Sequence, residues 1–119
     1  MSIDKTIQQH LHWLNRGTHR LNVLEGFAVA EQASRVAGED ALPDQATLLT
    51  GIGLEQGSSA YGNGRLAILG LIERGFVINE AAEPRRYALR INWEQVRIYS
   101  DWLEEHGRPR LVVERHKPV

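Results

Sequence analysis

The stretch LAILGLIERGFV, residues 66–77, decides the predicted fold. Its apolar residues cover a broad face of a helix over 65–74, and Gly75 stands where a helix is expected to end. The residues that follow are bulky and branched, which favours a strand at 76–78. The stretch therefore predicts a helix, a sharp turn at Gly75 and a short strand.

Residues on both sides extend this pattern between 43 and 92. Residues 87–91 alternate apolar with small or charged residues and predict a second strand, and the polar residues 79–84 predict the turn before it. Upstream, Asp44 can cap a short helix that residues 50–53 stop. The expected order is helix, turn, helix, strand, turn, strand, with one core shared by Leu69, Ile72, Phe76, Leu89 and Ile91.

Helices are also predicted outside this segment. Apolar residues recur at helical spacing over 3–14, which predicts a first helix that ends before Gly17. A second helix is expected after Gly17 to about residue 37, and a third over 93–107. Residues 111–113 predict a small strand. The expected fold class is mainly α with a small β-hairpin, in a single domain over 1–119: N-terminal helices at 1–37, two helices within 43–75, a hairpin at 76–92 and a C-terminal helix at 93–107.

The run 66–77, together with the sequence RRYAL at 85–89, resembles the end of the recognition helix and the wing of bacterial winged helix-turn-helix regulators. The resemblance covers about residues 43–92 and implies a winged helix-turn-helix with additional N- and C-terminal helices. It implies base contacts from the start of the recognition helix and phosphate or minor-groove contacts from the wing. The residues at these positions are Ser58, Ser59, Tyr61, Asn63 and Arg65 in the helix, and Arg85 and Arg86 in the wing.

Charge and composition restrict where a nucleic acid could bind. The formal net charge is -1, so the whole chain creates no attractive field for DNA, and any binding surface must be local. Twelve of the fourteen cationic residues are arginine, which forms forked contacts with phosphate, guanine or carboxylates. Arg85 and Arg86 could alternatively pair with Glu80 and Glu83 across the hairpin turn.

Enzymatic and metal-binding patterns are not found. The absence of cysteine excludes disulfides, thiolate zinc sites and cysteine nucleophiles, and favours a cytoplasmic setting. His10 and His12 would point about 200° apart on a helix, so they cannot bind one metal ion and are expected at the surface. Ser58 and Ser59 lack the strand context of a hydrolase nucleophile. We expect no enzyme activity, no cofactor, no signal peptide and no membrane span.

Two functions remain open. The first is a DNA-binding regulator of bacterial or phage type, and the second is a winged-helix module that binds a host protein. Acidic residues at 39, 40, 44 and 55 favour the second. A homodimer is also expected, because the C-terminal helix carries more apolar surface than its own packing needs; the expected interface comprises Trp93, Val96, Tyr99, Trp102 and Leu103.

Overall fold

A computed structural model describes residues 3–17, 19–36, 45–79 and 89–117. The fold class is confirmed: the protein is mainly α-helical, with a small antiparallel hairpin followed by a helix. The elements are α1 (Ile3–Arg16), α2 (Arg20–Val36), α3 (Gln45–Gly51), α4 (Ser59–Glu73), β1 (Val77–Asn79), β2 (Leu89–Ile91), α5 (Trp93–Glu105) and a 3-10 helix (Val112–His116).

Helix α2 lies at the centre of the packing. It contacts α1, α3, α4, β2 and the 3-10 helix, because it presents bulky buried residues such as Leu24 and Phe27 to several neighbours. Strands β1 and β2 pair antiparallel, with Val77 opposite Ile91. The predicted turn at 79–84, apart from its first residue, and the two arginines Arg85 and Arg86 lie outside the described residues.

The junction between α4 and β1 has the geometry that the sequence predicts. Gly75 adopts a left-handed conformation with φ of +81°, which a residue with a Cβ rarely adopts. Its N–H donates to the carbonyl of Ile72 at 3.1 Å, and the N–H of Phe76 donates to the carbonyl of Leu71 at 3.0 Å. These two bonds satisfy the last carbonyls of the helix in a Schellman motif and turn the chain directly into β1.

The predicted core is confirmed for Phe76, Leu89 and Ile91, which are buried, but is wrong for Leu69. The side chain of Leu69 is 49% exposed, whereas its neighbour Ile68 is fully buried. Helix α4 begins at Ser59, earlier than predicted, and its apolar residues occur around most of its circumference. The sequence alone therefore does not fix which face is buried.

The apolar strip of α5, which is the predicted dimer interface, packs within the chain. Val96, Tyr99, Trp102 and Leu103 are all buried, and Trp93 is partly buried against the same core. The indole N–H groups of the two tryptophans also have partners inside the chain: that of Trp102 donates to Asp4 and that of Trp93 to Glu31, both at 3.0 Å. The strip therefore packs towards α1 and α2, while Ile98 on the same helix is exposed.

The predicted strand at 111–113 is also wrong. This segment enters the 3-10 helix, and the N–H of Leu111 donates to the buried hydroxyl of Ser100 at 3.1 Å. Leu111 and Val113 are buried, so the segment closes the core beside α2 and α5. A run of three apolar residues cannot distinguish a strand from one turn of a tight helix.

Candidate nucleic-acid interface

Two of the residues predicted to contact bases have structural contacts at the start of α4. The hydroxyl of Ser58 caps the helix by accepting a hydrogen bond from the N–H of Tyr61 at 3.1 Å, and it donates to the carbonyl of Glu55 at 2.6 Å. Tyr61 is partly buried against the hydrophobic core. A capping serine contributes about 1 kcal/mol to helix stability, so Ser58 has a structural role without any ligand.

The other three predicted residues on α4, namely Ser59, Asn63 and Arg65, are exposed. Within the described part of the chain, no hydrogen bond or ion pair holds the side chain of Asn63 or Arg65. Helical geometry places Ser59 and Asn63 one turn apart on the same side, whereas Arg65 projects about 200° away from Asn63. The structure therefore brings two of the three together and places Arg65 at the other edge of the exposed surface.

Between these edges, the exposed surface of α4 is largely uncharged. We call it the outward face of α4, and it comprises Ser59, Gly62, Asn63, Leu66, Leu69 and Glu73. Leu66 is 66% exposed and Leu69 is 49% exposed, which is unusual for two leucines one turn apart. The face therefore combines hydrogen-bonding groups near the start of the helix with apolar surface at its middle.

A groove of about 490 Å³ separates α4 from the junction between α1 and α2. His19 and Arg20 line it on the α1–α2 side, and Asn63, Leu66 and Arg74 line it on the α4 side. Two guanidinium groups and an imidazole thus stand beside the outward face of α4, with Glu73 as the carboxylate of the same groove. The two guanidinium groups are a local concentration of positive charge in a chain whose net charge is -1.

The indole of Trp13 organises this groove. The guanidinium carbon of Arg74 lies 3.9 Å from the centre of the Trp13 ring, and that of Arg20 lies 4.2 Å from it. Gly70 makes the arrangement possible, since a Cβ at this position would lie only 2.7 Å from Cη2 of Trp13 and even closer to Cζ2. We call Trp13, Arg20 and Arg74 the tryptophan cluster. Its members are up to 61 positions apart in sequence, and no local pattern predicts it.

His10 lies next to the tryptophan cluster and is partly buried, which corrects its expected surface position. Its Nδ1 and the hydroxyl of Tyr99 are 2.7 Å apart. Burial and, secondarily, the positive charge of Arg74 lower the pKa of His10 below 6.5. Burial also raises the pKa of Tyr99 above 10.0. The imidazole is therefore neutral at pH 7, and the positive charge of Arg74 is close enough to disfavour its protonation.

A second cleft, of about 460 Å³, lies between α2 and α3. Its walls are mainly apolar and include Val29, Leu48 and Ile52. Glu25 lines the cleft, where hydrogen bonds from His116 and Arg115 hold the pKa of its carboxyl below the usual range. Because that carboxylate is paired with the 3-10 helix segment, it serves to attach the end of the chain to α2.

The predicted wing contacts, Arg85 and Arg86, lie outside the described residues, so the described site consists of α4 and the α1–α2 junction. Among the described residues, no group of three or more histidine, aspartate or glutamate side chains is placed to hold a metal ion. Over the same ranges, none of the helices has the length and apolarity needed to cross a membrane. Comparison with protein-family models, curated proteins and solved structures found no match.

Proposed function

We propose that the chain is a winged-helix DNA-binding regulator of bacterial or phage type, which binds duplex DNA through the outward face of α4 and through Arg65 at the edge of that face. The observation that carries the proposal is the placement of α4. It follows a short helix and a turn, it directly precedes an antiparallel hairpin, and Ser59, Asn63 and Arg65 in its N-terminal half are exposed. A helix in this setting can enter the major groove, which is about 12 Å wide.

The side chains on α4 can form base contacts of known chemistry. The amide of Asn63 can pair with the N6 and N7 edge of adenine, and the guanidinium of Arg65 can fork onto guanine. Leu66, which is on the same side of the helix as Asn63, can lie against the methyl group of thymine. The proposed recognition surface therefore favours an A·T pair near Asn63 and a G·C pair toward Arg65.

Phosphate contacts supply a large share of the affinity of proteins for DNA. Because the net charge of this chain does not attract DNA, local cations must make these contacts. The groove beside α4 offers His19, Arg20 and Arg74 for this purpose. The contribution of such local cations to DNA binding is largest at low ionic strength.

The test is a binding titration with labelled duplexes at several salt concentrations. We expect wild-type protein to bind mixed-sequence duplexes at low salt, and to prefer a site selected from random duplexes. Asn63→Ala and Arg65→Ala should each weaken binding to the selected site by about 1 to 3 kcal/mol, while binding to mixed sequences changes little. Arg97→Ala, which removes a cation from α5, is the control and should leave the preference unchanged. Failure of wild-type protein to bind any duplex at low salt would refute the proposal.

A second function, a module that binds a host protein, is favoured by the exposure of Leu66 and Leu69. Paired exposed leucines are surface that a protein partner can bury at the centre of an interface. If this function is correct, Leu66→Gln with Leu69→Gln should abolish binding of the partner, whereas Arg65→Ala should leave it largely intact. The opposite order of effects would support DNA.

A further inference from the structure

We infer that Arg20 and Arg74, which contact the indole of Trp13, form built contacts for backbone phosphates of bound DNA, one phosphate for each arginine. The inference rests on the proposed function and identifies which residues of the fold would hold the duplex in place while α4 contacts the bases. Phosphate contacts set the position and orientation of a protein on DNA, and base contacts provide specificity.

The two guanidinium groups are positioned by more than one contact each. Arg20 lies on the Trp13 ring and donates from Nη1 to the carbonyl of Trp13 at 2.5 Å. Arg74 lies on the same ring and donates from Nη1 to the carbonyl of Gly70 at 3.2 Å. Long arginine side chains usually lose conformational freedom when they bind a ligand, and here much of that loss has already occurred on folding.

Both groups keep N–H donors for a ligand. A guanidinium has five donors, and each of these arginines commits one nitrogen to a backbone carbonyl. Contact with an aromatic ring occupies the flat face of the guanidinium and leaves its edges open. The edges present the paired donors that match two oxygens of a phosphate.

The positive charge of the pair is also largely uncompensated. Among the described residues, the one carboxylate near Arg74 is that of Glu73, which is 3.9 Å away and 81% exposed, and no carboxylate pairs with Arg20. Arg110, by contrast, is surrounded by Asp101, Glu104 and Glu114. An arginine that only stabilises the fold is expected to resemble Arg110.

The position of the pair relative to α4 fits a phosphate contact. Arg20 and Arg74 line the same groove as Asn63 and Leu66, which belong to the outward face of α4. A duplex whose major groove receives that face brings its sugar-phosphate backbone alongside the helix. The groove between α4 and the α1–α2 junction is therefore where one backbone strand would run.

The competing explanation is that Arg20 and Arg74 only pack on the ring of Trp13. The salt dependence of DNA binding distinguishes this packing role from a phosphate contact. If both arginines contact phosphate, Arg20→Gln with Arg74→Gln should flatten the slope of log affinity against log salt by up to about 1.8, or about 0.9 for each contact. All duplex sequences should lose affinity alike. If the arginines only pack, the slope should not change.

The matched control is Arg97→Gln with Arg108→Gln, which removes the same charge from exposed positions on α5 and beyond it. It should change the slope much less. Arg20→Lys with Arg74→Lys, which restores the charge, should recover most of the slope. If the double glutamine variant does not fold, as judged by its urea unfolding midpoint, the two single variants provide the test, each with an expected change of about 0.9.

The outcomes for this inference and for the proposed function are distinct. If wild-type protein binds duplex DNA but the glutamine and wild-type slopes are equal, the phosphate contact is wrong and the proposed function stands. If wild-type protein binds no duplex, the proposed function fails and the phosphate contact fails with it. A flattened slope with Asn63-dependent sequence preference retained supports both.

Discussion

Replacing Gly70 by alanine should destabilise the protein, although alanine normally stabilises a helix. The added Cβ would lie 2.7 Å from Cη2 of Trp13 and closer still to Cζ2. These atoms belong to a rigid bicyclic ring that is also held by contacts with Arg20 and Arg74. The ring must therefore shift as a whole, because a rotation of its tip cannot relieve the clash.

The expected magnitude follows from two opposing effects. Exchange of glycine for alanine inside a helix gains about 0.8 to 1.0 kcal/mol, and overpacking of a well-packed contact costs about 1 to 3 kcal/mol. Gly62 is the matched control, because it lies in the same helix and nothing stands within 4 Å of the position that an added Cβ would take. Gly62→Ala should gain about 1 kcal/mol, so the two variants should differ by about 1 to 3 kcal/mol.

Urea unfolding of both variants measures this difference, provided that their m-values are equal to that of the wild type. Repeating Gly70→Ala in a Trp13→Ala background tests the cause directly, since removal of the ring should turn the loss into a gain similar to that of Gly62→Ala. If Gly70→Ala stabilises the wild-type protein as much as Gly62→Ala does, α1 and α4 do not pack through Trp13, and the tryptophan cluster is wrong.

Two further predictions concern burial and pH. Leu71→Ala should lower the free energy of unfolding by about 2 to 5 kcal/mol because Leu71 is fully buried, whereas Leu69→Ala, at a half-exposed position, should lower it by no more than about 1 kcal/mol. Urea unfolding compares the two variants, and equal losses would contradict the orientation of α4. Burial and a neighbouring guanidinium lower the pKa of His10, so its contribution to stability is complete above pH 6.5 and is lost as the pH falls from 6.5 through the folded-state pKa. Unfolding at pH 7.5 and 5.0 should therefore show a smaller pH dependence for His10→Gln than for wild type, and equal dependence would exclude this role.

The parts of the fold that were predictable from sequence are those with local causes. Gly75 ends α4 because its left-handed conformation closes a Schellman motif, and this requirement is visible in the sequence as a glycine after an apolar helix. The strand that follows and the start of α5 at Asn92, which caps the helix by accepting from Gln95, have equally local signals. Such signals determine the order of the elements.

The orientation of α4 was not predictable, because tertiary contacts determine it. Apolar residues occur at 66, 68, 69, 71 and 72, so several faces of the helix could be buried. The buried face is the one with the smallest residues, Gly64, Ala67 and Gly70, together with Ile68 and Leu71. Small residues are favoured on this side because neighbouring side chains approach the helix closely there, Trp13 at Gly70 and Leu49 at Gly64. Burial of this side leaves Leu66 and Leu69 exposed to solvent.

The same tertiary contacts connect the fold to the candidate site. Because α4 buries its small residues, Trp13 can approach the helix at Gly70, and Arg74 from the end of α4 can meet Arg20 from α2 over one ring. The orientation of α4 that leaves Leu66 and Leu69 exposed thus also brings Arg20 and Arg74 to the groove beside these two leucines. A ligand that binds this surface must contact both the exposed leucine side chains and the two arginines. The proposed ligand, duplex DNA, would place phosphates at the edges of the guanidinium groups, and base edges and thymine methyl groups at Asn63 and Leu66.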